Sequence, residues 1–310
     1  MVFPGQGAQA VGMGRDLAAA FAEARRVFEE VDDALGEHLS RLIAEGPEQE
    51  LTLTRNTQPA LMAVSIAALR VLERVSGTDV AGFCRFVAGH SLGEYTALTA
   101  AGSLSVNEAA RLLRIRGEAM QQAVPVGEGA MAALMGLDLE AVRDVTRVAA
   151  EEDGVCTLAN DNAPGQVVIS ESRSAVERAI AIAADRGGRR SVMLPVSAPF
   201  HSPLMEPAAD ALSSALDQVD LRPPAVPVIS NVTASEIREP GEIRKLLVEQ
   251  ITGMVRWRES VAYMRAREID TLVEVGFGRV LGGLAKRIDR DLATFSIGTA
   301  EELNAFAEVI

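Results

Sequence analysis

Histidine and cysteine are scarce in this chain: three histidines and two cysteines among 310 residues. Cys84 and Cys156 lie far apart without the close spacing of metal ligands, so buried thiols in a reducing cytoplasm are expected. No uninterrupted apolar stretch approaches the length of a membrane span. The first residues, Met1 to Gly7, have neither a basic start nor an apolar core segment, which excludes a signal peptide. Positive charge is also short. A net charge of −13 argues against a nucleic-acid binder, although it leaves room for a local basic patch. The chain contains no Walker loop, no metal-ligand cluster, no low-complexity tract and no fixed repeat. These absences leave a soluble cytoplasmic protein of ordinary composition (48% hydrophobic, 24% charged, 26 glycines), long enough for one large domain or two smaller ones.

What is present begins with Gly89-His90-Ser91-Leu92-Gly93, which fits the Gly-x-Ser-x-Gly nucleophile elbow. An apolar run, Phe86-Val87-Ala88, precedes it, and Glu94 to Leu98 can open a helix after it. Strand, sharp turn and helix is the context in which such a serine projects clear of a sheet and can attack an acyl carbonyl. A Gly-rich turn that happens to hold a serine is the competing reading, and the flanking elements weigh against it.

The first half of the chain reads as α/β. Helical patterns span Asp16 to Leu35 and Ala60 to Val75, the second so apolar that burial on most sides is expected, and another covers Val106 to Ala119. From Pro125 the texture changes. Strand candidates at Ala130–Leu137, Val155–Ala159, Gln166–Ser170 and Ser191–Val196 alternate with helical patterns at Leu139–Ala149 and Val176–Ala184. That β-α-β-β-α-β order is ferredoxin-like. The expected organisation is therefore a large catalytic domain of residues 1–124 and 197–310, with a ferredoxin-like insertion at 125–196. Two later strand-to-turn segments, Val226–Asn231 and Thr271–Gly278, return to the large domain.

A serine nucleophile needs a base near pH 7. His38 reads as a surface residue, and His90, beside the serine in a strained turn, as packing or hydrogen-bonding support. His201, in Val196-Ser197-Ala198-Pro199-Phe200-His201, is either the base or a structural histidine. The opening Gly5-Gln6-Gly7-Ala8-Gln9-Ala10 fits the dinucleotide fingerprint Gly-x-Gly-x-x-Ala, but its strand is barely three residues long. The required acidic residue would also fall in a charged helical stretch, at Glu29 to Asp33. The better reading is a turn offering bare N–H groups to a substrate oxygen.

Together these residues resemble one family, the malonyl-CoA:acyl carrier protein transacylases and the related acyltransferase domains of polyketide synthases. The matching segments are Phe3 to Gln9, Gly89 to Glu94, Arg116-Gly117 with Met120, Asn160 to Ile169, Ser197 to His201, Val248-Glu249-Gln250, and Glu274-Val275-Gly276. They fall in the family's order along essentially the whole chain. The resemblance implies an α/β-hydrolase-like domain with a parallel sheet, carrying the ferredoxin-like subdomain. It makes Ser91 the nucleophile and His201 its base, with the backbone N–H groups of Gln6 and Leu92 as oxyanion hole. A main-chain carbonyl, that of Gln250, would orient the histidine where a Ser-His-Asp triad uses a carboxylate. Arg116 would hold the malonyl carboxylate through two parallel hydrogen bonds, whereas Arg111 and Arg114 fit a solvated face. Phe200 resembles the residue whose bulk excludes a 2-methyl branch, and His90 joins the substrate-binding set.

The implied activity is ping-pong transfer of a malonyl group from malonyl-CoA to the phosphopantetheine thiol of holo-acyl carrier protein. It needs no cofactor and no metal, and the resemblance implies a monomer. Arg186, Arg189 and Arg190, with Lys286, Arg287 and Arg290, are candidates for docking an acidic carrier. A polyketide carrier, a hydrolase on the same site and a non-catalytic docking module are the rivals. A chain that begins at the Phe-Pro-Gly-Gln-Gly motif and ends soon after the last matching segment favours fatty-acid synthesis among the carriers.

Overall fold

The computed structural model describes residues 1–150, 156–196 and 198–308. Ser197 and Val155, which open a motif and a strand in the sequence reading, lie outside the described residues. Among the described residues ten strands form two sheets. They are β1 (Val2–Phe3), β2 (Val87–Gly89), β3 (Gly129–Met135), β4 (Thr157–Ala163), β5 (Gln166–Ser172), β6 (Arg190–Met193), β7 (Val228–Ile229), β8 (Glu236–Ile237), β9 (Thr271–Val275) and β10 (Ala293–Ile297). The larger sheet runs β10-β9-β1-β2-β7-β8, parallel except for β8 at its edge. The smaller, antiparallel sheet runs β4-β5-β3-β6 and carries helices Leu139–Ala150 and Arg173–Asp185. Alternating β and α segments thus produce the expected α/β fold with an antiparallel second sheet.

Apolar burial explains the arrangement of the larger layer. Helix Thr54–Ser76 is buried along nearly its whole length and packs between helices Ala22–Leu35 and Val106–Gln122. Leu61, Met62, Val64, Ile66, Leu69 and Leu72 are all essentially inaccessible on it, so it acts as an internal strut of the core. This helix begins six residues before the apolar pattern does. Pro59 sits inside it, and the polar turn Thr54-Arg55-Asn56-Thr57-Gln58 carries no apolar stripe to announce a helix. The expected helix from Asp16 to Leu35 is two helices, Arg15–Ala20 and Ala22–Leu35, because Phe21 takes an extended conformation (φ −127°, ψ 131°). Helix Val106–Gln122 starts where its sequence dictates, with Ser105 and Glu108 forming a reciprocal capping box.

The small sheet shows further shifts. β4 begins at Thr157 and runs through Asn162 and Ala163, so the hairpin turn shrinks to Pro164-Gly165, and β6 stops at Met193. The extra length of β4 has a structural reason. Its distal half pairs with the segment that follows helix Pro240–Thr252, Val255 N–H donating to Ala159 O (2.8 Å) and Asp161 N–H to Val255 O (2.9 Å). Arg258 clamps the buried Asp161 carboxylate from Nε at 3.0 and 2.9 Å. With the bond between His90 Nε2 and Asn162 Oδ1 (2.8 Å), these contacts hold the small sheet beside the carboxyl end of β2, the edge at which open α/β sheets place their ligands. No helix of the described residues is long and apolar enough to cross a membrane.

Candidate active site

β2 ends at Gly89, and helix Leu92–Ala100 starts three residues later, leaving the turn to His90 and Ser91. Ser91 is forced to φ 52°, ψ −110°, a strained geometry for any residue with a side chain. The flanking glycines permit it: a Cβ on Gly89 would lie 1.8 Å from Gly93 O, and one on Gly93 would lie 2.3 Å from Phe3 O. Asn231, just beyond β7, staples this turn. Its Oδ1 accepts from Ser91 N–H (2.7 Å), and its Nδ2 donates to Gly89 O (2.7 Å).

His201 also has a positive φ (58°), so both residues at the centre of the site are conformationally strained. Its Nδ1 faces the main-chain oxygens of Gln250 (2.8 Å) and Gly253 (3.1 Å). Both partners are acceptors, so Nδ1 carries the proton and Nε2 is left as an acceptor. Nε2 stands 2.9 Å from Ser91 Oγ. Burial, then the positive charge of Arg116, pushes the imidazole pKa down to about 3, so it is neutral at pH 7. The hydroxyl therefore has a proton acceptor in hydrogen-bonding position, oriented without a carboxylate.

Arg116 is the second group that contacts the hydroxyl. It is 1% exposed, and its Nη2 donates to Ser91 Oγ (3.0 Å) and Gln250 Oε1 (3.0 Å), while Nη1 donates to Gln58 Oε1 (2.8 Å). Its Nε has no hydrogen-bond partner among the described residues. Arg114, in contrast to the expectation of a solvated face, is buried. Helix Val106–Gln122 packs so closely on Thr54–Ser76 that Arg114 is drawn in, bonding Asn56 Oδ1 (2.6 Å) and Glu37 Oε2 (2.7 Å). Arg111 is exposed and donates to Ala34 O (3.0 Å) at the end of a neighbouring helix.

A cavity of about 300 Å³ opens over Ser91 and His201. Gln6, Gly7 and Gln9 line one side, and Met131, Leu194 and Phe200 supply apolar wall from β3 and the strand-to-domain return. Leu92 is the first residue of its helix, so its N–H has no intrahelical acceptor and lies at the positive end of the helix dipole. His90 lines the same cavity, donates from Nε2 to Asn162 Oδ1 (2.8 Å), and rests against Trp257 with ring centroids 5.7 Å apart. Burial holds its pKa below the ordinary histidine range. His38 is exposed on the surface, away from this site.

Three residues escaped the sequence reading. Gln58 lies in the polar turn before the apolar helical pattern. Asn231 ends a strand whose visible signal is only apolar. Glu94 read merely as an acidic residue opening a helix. It is fully buried, and burial raises its pKa to about 7 against the pull of Asn231, Gln250 and Arg116.

Known proteins share this fold along the whole chain. The malonyl CoA-acyl carrier protein transacylase of Bacillus subtilis is 47% identical over 302 residues, 97% of this chain and 94% of the relative. The acyl-carrier-protein-S-malonyltransferase of Bartonella henselae superposes with a TM-score of 0.96 at 55% identity, covering 99% of this chain and 98% of that one. A malonyl-transacylase solved in complex with a type II polyketide synthase acyl carrier protein superposes at 0.96 with 41% identity, covering 100% and 99%. Residues 1–288 match the acyl transferase domain, a span that contains the elbow, the buried arginine and the histidine, and the chain belongs to that family.

Proposed function

We propose that this chain transfers the malonyl group of malonyl-CoA to the phosphopantetheine thiol of an acyl carrier protein through a malonyl ester on Ser91. The observation that carries this reading is the buried Arg116 guanidinium, 3.0 Å from the serine hydroxyl that His201 also contacts. A desolvated cation beside the nucleophile suits an acyl group ending in a carboxylate, and a planar guanidinium can hold such a group bidentately.

In the first half-reaction Ser91 Oγ attacks the thioester carbonyl as its proton passes to His201 Nε2. The backbone N–H groups of Gln6 and Leu92 receive the developing oxyanion. The C–S bond breaks, and the imidazolium returns its proton to the departing CoA sulfur. In the second half-reaction the carrier thiol gives its proton to His201 and attacks the ester carbonyl, and Ser91 leaves with that proton. Gln250 O and Gly253 O hold the imidazole in one tautomer through both steps. Phe200 closes the space beside C2 of the malonyl group, and His90 supports the wall through Asn162 and Trp257.

Arg189, Arg190 and Arg287 gather at the small-sheet hairpin. Arg189 N–H bonds Met135 O (2.8 Å), Arg190 pairs with Met135, and Arg287 bonds Gln166 and Pro164 across the junction of the two sheets. With Arg186, Lys286 and Arg290 they offer an acidic carrier a local cationic surface on a chain of net charge −13. Fatty-acid elongation is the first reading of the pathway. Delivery to a polyketide carrier is the second, supported by the likeness to the transacylase solved with such a carrier.

The test is incubation with malonyl-CoA, with and without holo-acyl carrier protein, followed by intact-protein mass spectrometry. The expected result is a malonyl adduct on Ser91 that persists until carrier is added. Rapid loss of the adduct to water would identify a hydrolase, and no adduct would refute the proposal. Charge reversal at Arg189 and Arg287 is expected to raise KM for the carrier and leave loading intact. An unchanged KM removes the docking assignment.

A further inference from the structure

One carboxylate oxygen underlies both sides of the nucleophile. Glu94 Oε2 accepts from Asn231 N–H (3.1 Å) and from Gln250 Nε2 (2.7 Å). Asn231 passes this restraint to the Ser91 N–H and to Gly89 O, the two ends of the elbow. Gln250 passes it to Ser91 O through Nε2 (3.1 Å) and to Arg116 through Oε1 (3.0 Å), while its own main-chain oxygen orients His201. Oε1 of Glu94 has no hydrogen-bond partner among the described residues. Neither hydrogen bond of Glu94 runs to its own helix; both donors, Asn231 and Gln250, belong to other segments.

We propose that Glu94 is a positioning residue for the acyl transfer described above, its Oε2 acting as the common acceptor that keeps Asn231 and Gln250, and through them Ser91 and Arg116, in register. What the site needs at this position is one oxygen with two lone pairs. A glutamine supplies that, with its NH₂ on the unpartnered Oε1 side. A leucine of similar volume leaves two buried donors unpaired and frees both arms.

The test uses the full chain and two readouts. One is phosphonylation of Ser91 by an alkyl fluorophosphonate, in which the Oγ–P bond forms, fluoride leaves and the hydroxyl proton goes to His201; it requires no malonyl group and no carrier. The other is malonyl transfer, with kcat separated from KM. Glu94→Leu is expected to slow phosphonylation and lower kcat by at least about 30-fold, with KM for malonyl-CoA rising as Arg116 loosens, while Glu94→Gln stays within about fivefold of wild type on both. Where Glu94→Leu does not fold, Glu94→Asp, which withdraws the oxygen by one methylene, carries the same expected loss.

Wild-type reactivity in folded Glu94→Leu, with only a lower melting temperature, would overturn the proposal. So would equal losses in Glu94→Leu and Glu94→Gln. The proposal rests on the proposed function only for its second readout. A wild-type chain that phosphonylates but never transfers malonyl refutes that function and leaves the Glu94 comparison standing.

Discussion

On one side of the Ser91 hydroxyl, His201 hangs from two main-chain carbonyls, those of Gln250 and Gly253. On the other, Arg116 is held by two side-chain amides, Gln58 on helix Thr54–Ser76 and Gln250 on helix Pro240–Thr252. The base is thus oriented by backbone, which no substitution deletes, and the arginine by groups that a single mutation removes. Such a division suits their tasks. Proton transfer is common to every acyl group, whereas selection of an acid-bearing acyl group is particular and rests on adjustable residues. The comparison also separates strain from support: both Ser91 and His201 hold positive φ, but the serine's turn is stapled by side chains and the histidine's ring by backbone oxygens.

The largest effect expected is on the base itself. His201→Ala is expected to slow malonyl-serine formation on the order of 10⁴-fold, near the upper range for a general base, with the protein still folded. Stopped-flow release of CoA measures it, and a loss below tenfold would remove His201 from the chemistry. Arg116→Ala comes next. Removing one partner of a desolvated charge pair costs roughly 2–5 kcal/mol, so kcat/KM for malonyl-CoA is expected to fall on the order of 30- to 5,000-fold, and that for acetyl-CoA far less. An unchanged malonyl-to-acetyl ratio would show that the arginine selects nothing. Arg116→Lys is expected to recover little, since an ammonium lacks the planar fork.

Two smaller changes sharpen the contrast between charge and shape. Phe200→Ala is expected to improve methylmalonyl-CoA relative to malonyl-CoA by about 5- to 150-fold, the equivalent of roughly 1–3 kcal/mol for an apolar contact. Competition between the two thioesters gives the ratio directly, and no change would clear Phe200 of a role in selection. Gln250→Ala keeps the main-chain oxygen that orients His201 and deletes the amide that holds Arg116. Because the same amide also donates to Ser91 O and Glu94, both substrates lose turnover, malonyl by roughly tenfold and acetyl by less. Equal losses with both substrates would mean that the two sides of the site are not separable.

How much of this was legible in the sequence follows from the range of each interaction. The elbow is local: two glycines, one serine and a strand-to-helix change within ten residues, so its position and geometry could be read directly. The antiparallel sheet was legible because β3 and β5 are seven residues long and alternate with amphipathic helices. The larger sheet was harder. β1 and β7 are two residues each, too short for any period, and β10 passed unnoticed because it is half-exposed and follows a charged turn. Arg116 was found through its family motif, but its partner Gln58 and the supporting Asn231 come from distant segments that nothing local marks, and the role of Glu94, though it lies in the elbow segment, depends on those distant contacts. Arg114 shows the same limit in reverse: its charge suggested solvent, and only the close packing of two helices reveals that it is buried.

The smallest effect expected is an absence, and it tests how the two sides are coupled. The free-enzyme kcat/KM profile reports the pKa of the essential base. His201 is depressed from the ordinary 6.5 to about 3, first by burial and second by the Arg116 charge, with Gln250 O and Gly253 O pulling the other way. Between pH 5 and 8 the imidazole is therefore already neutral, and malonyl-CoA acylation is expected to show no acid limb from His201. An inflection near 6.5 that persists in Glu94→Gln would contradict that. The same depression makes the unfolded chain bind a proton that the folded one does not, so His201 withdraws stability as pH falls from 6.5 toward 3. Glu94 has the opposite sign. Raised from 4.5 to about 7, it keeps a proton the unfolded chain has lost, and its contribution fades as pH rises from 4.5 through 7. Arg116→Ala removes the cation that both groups feel. The His201 pKa then rises and the acid limb moves up the pH scale, while the pKa of Glu94 rises further. If acetyl-CoA acylation by this variant keeps the wild-type profile, the arginine and the base act independently across the serine that joins them.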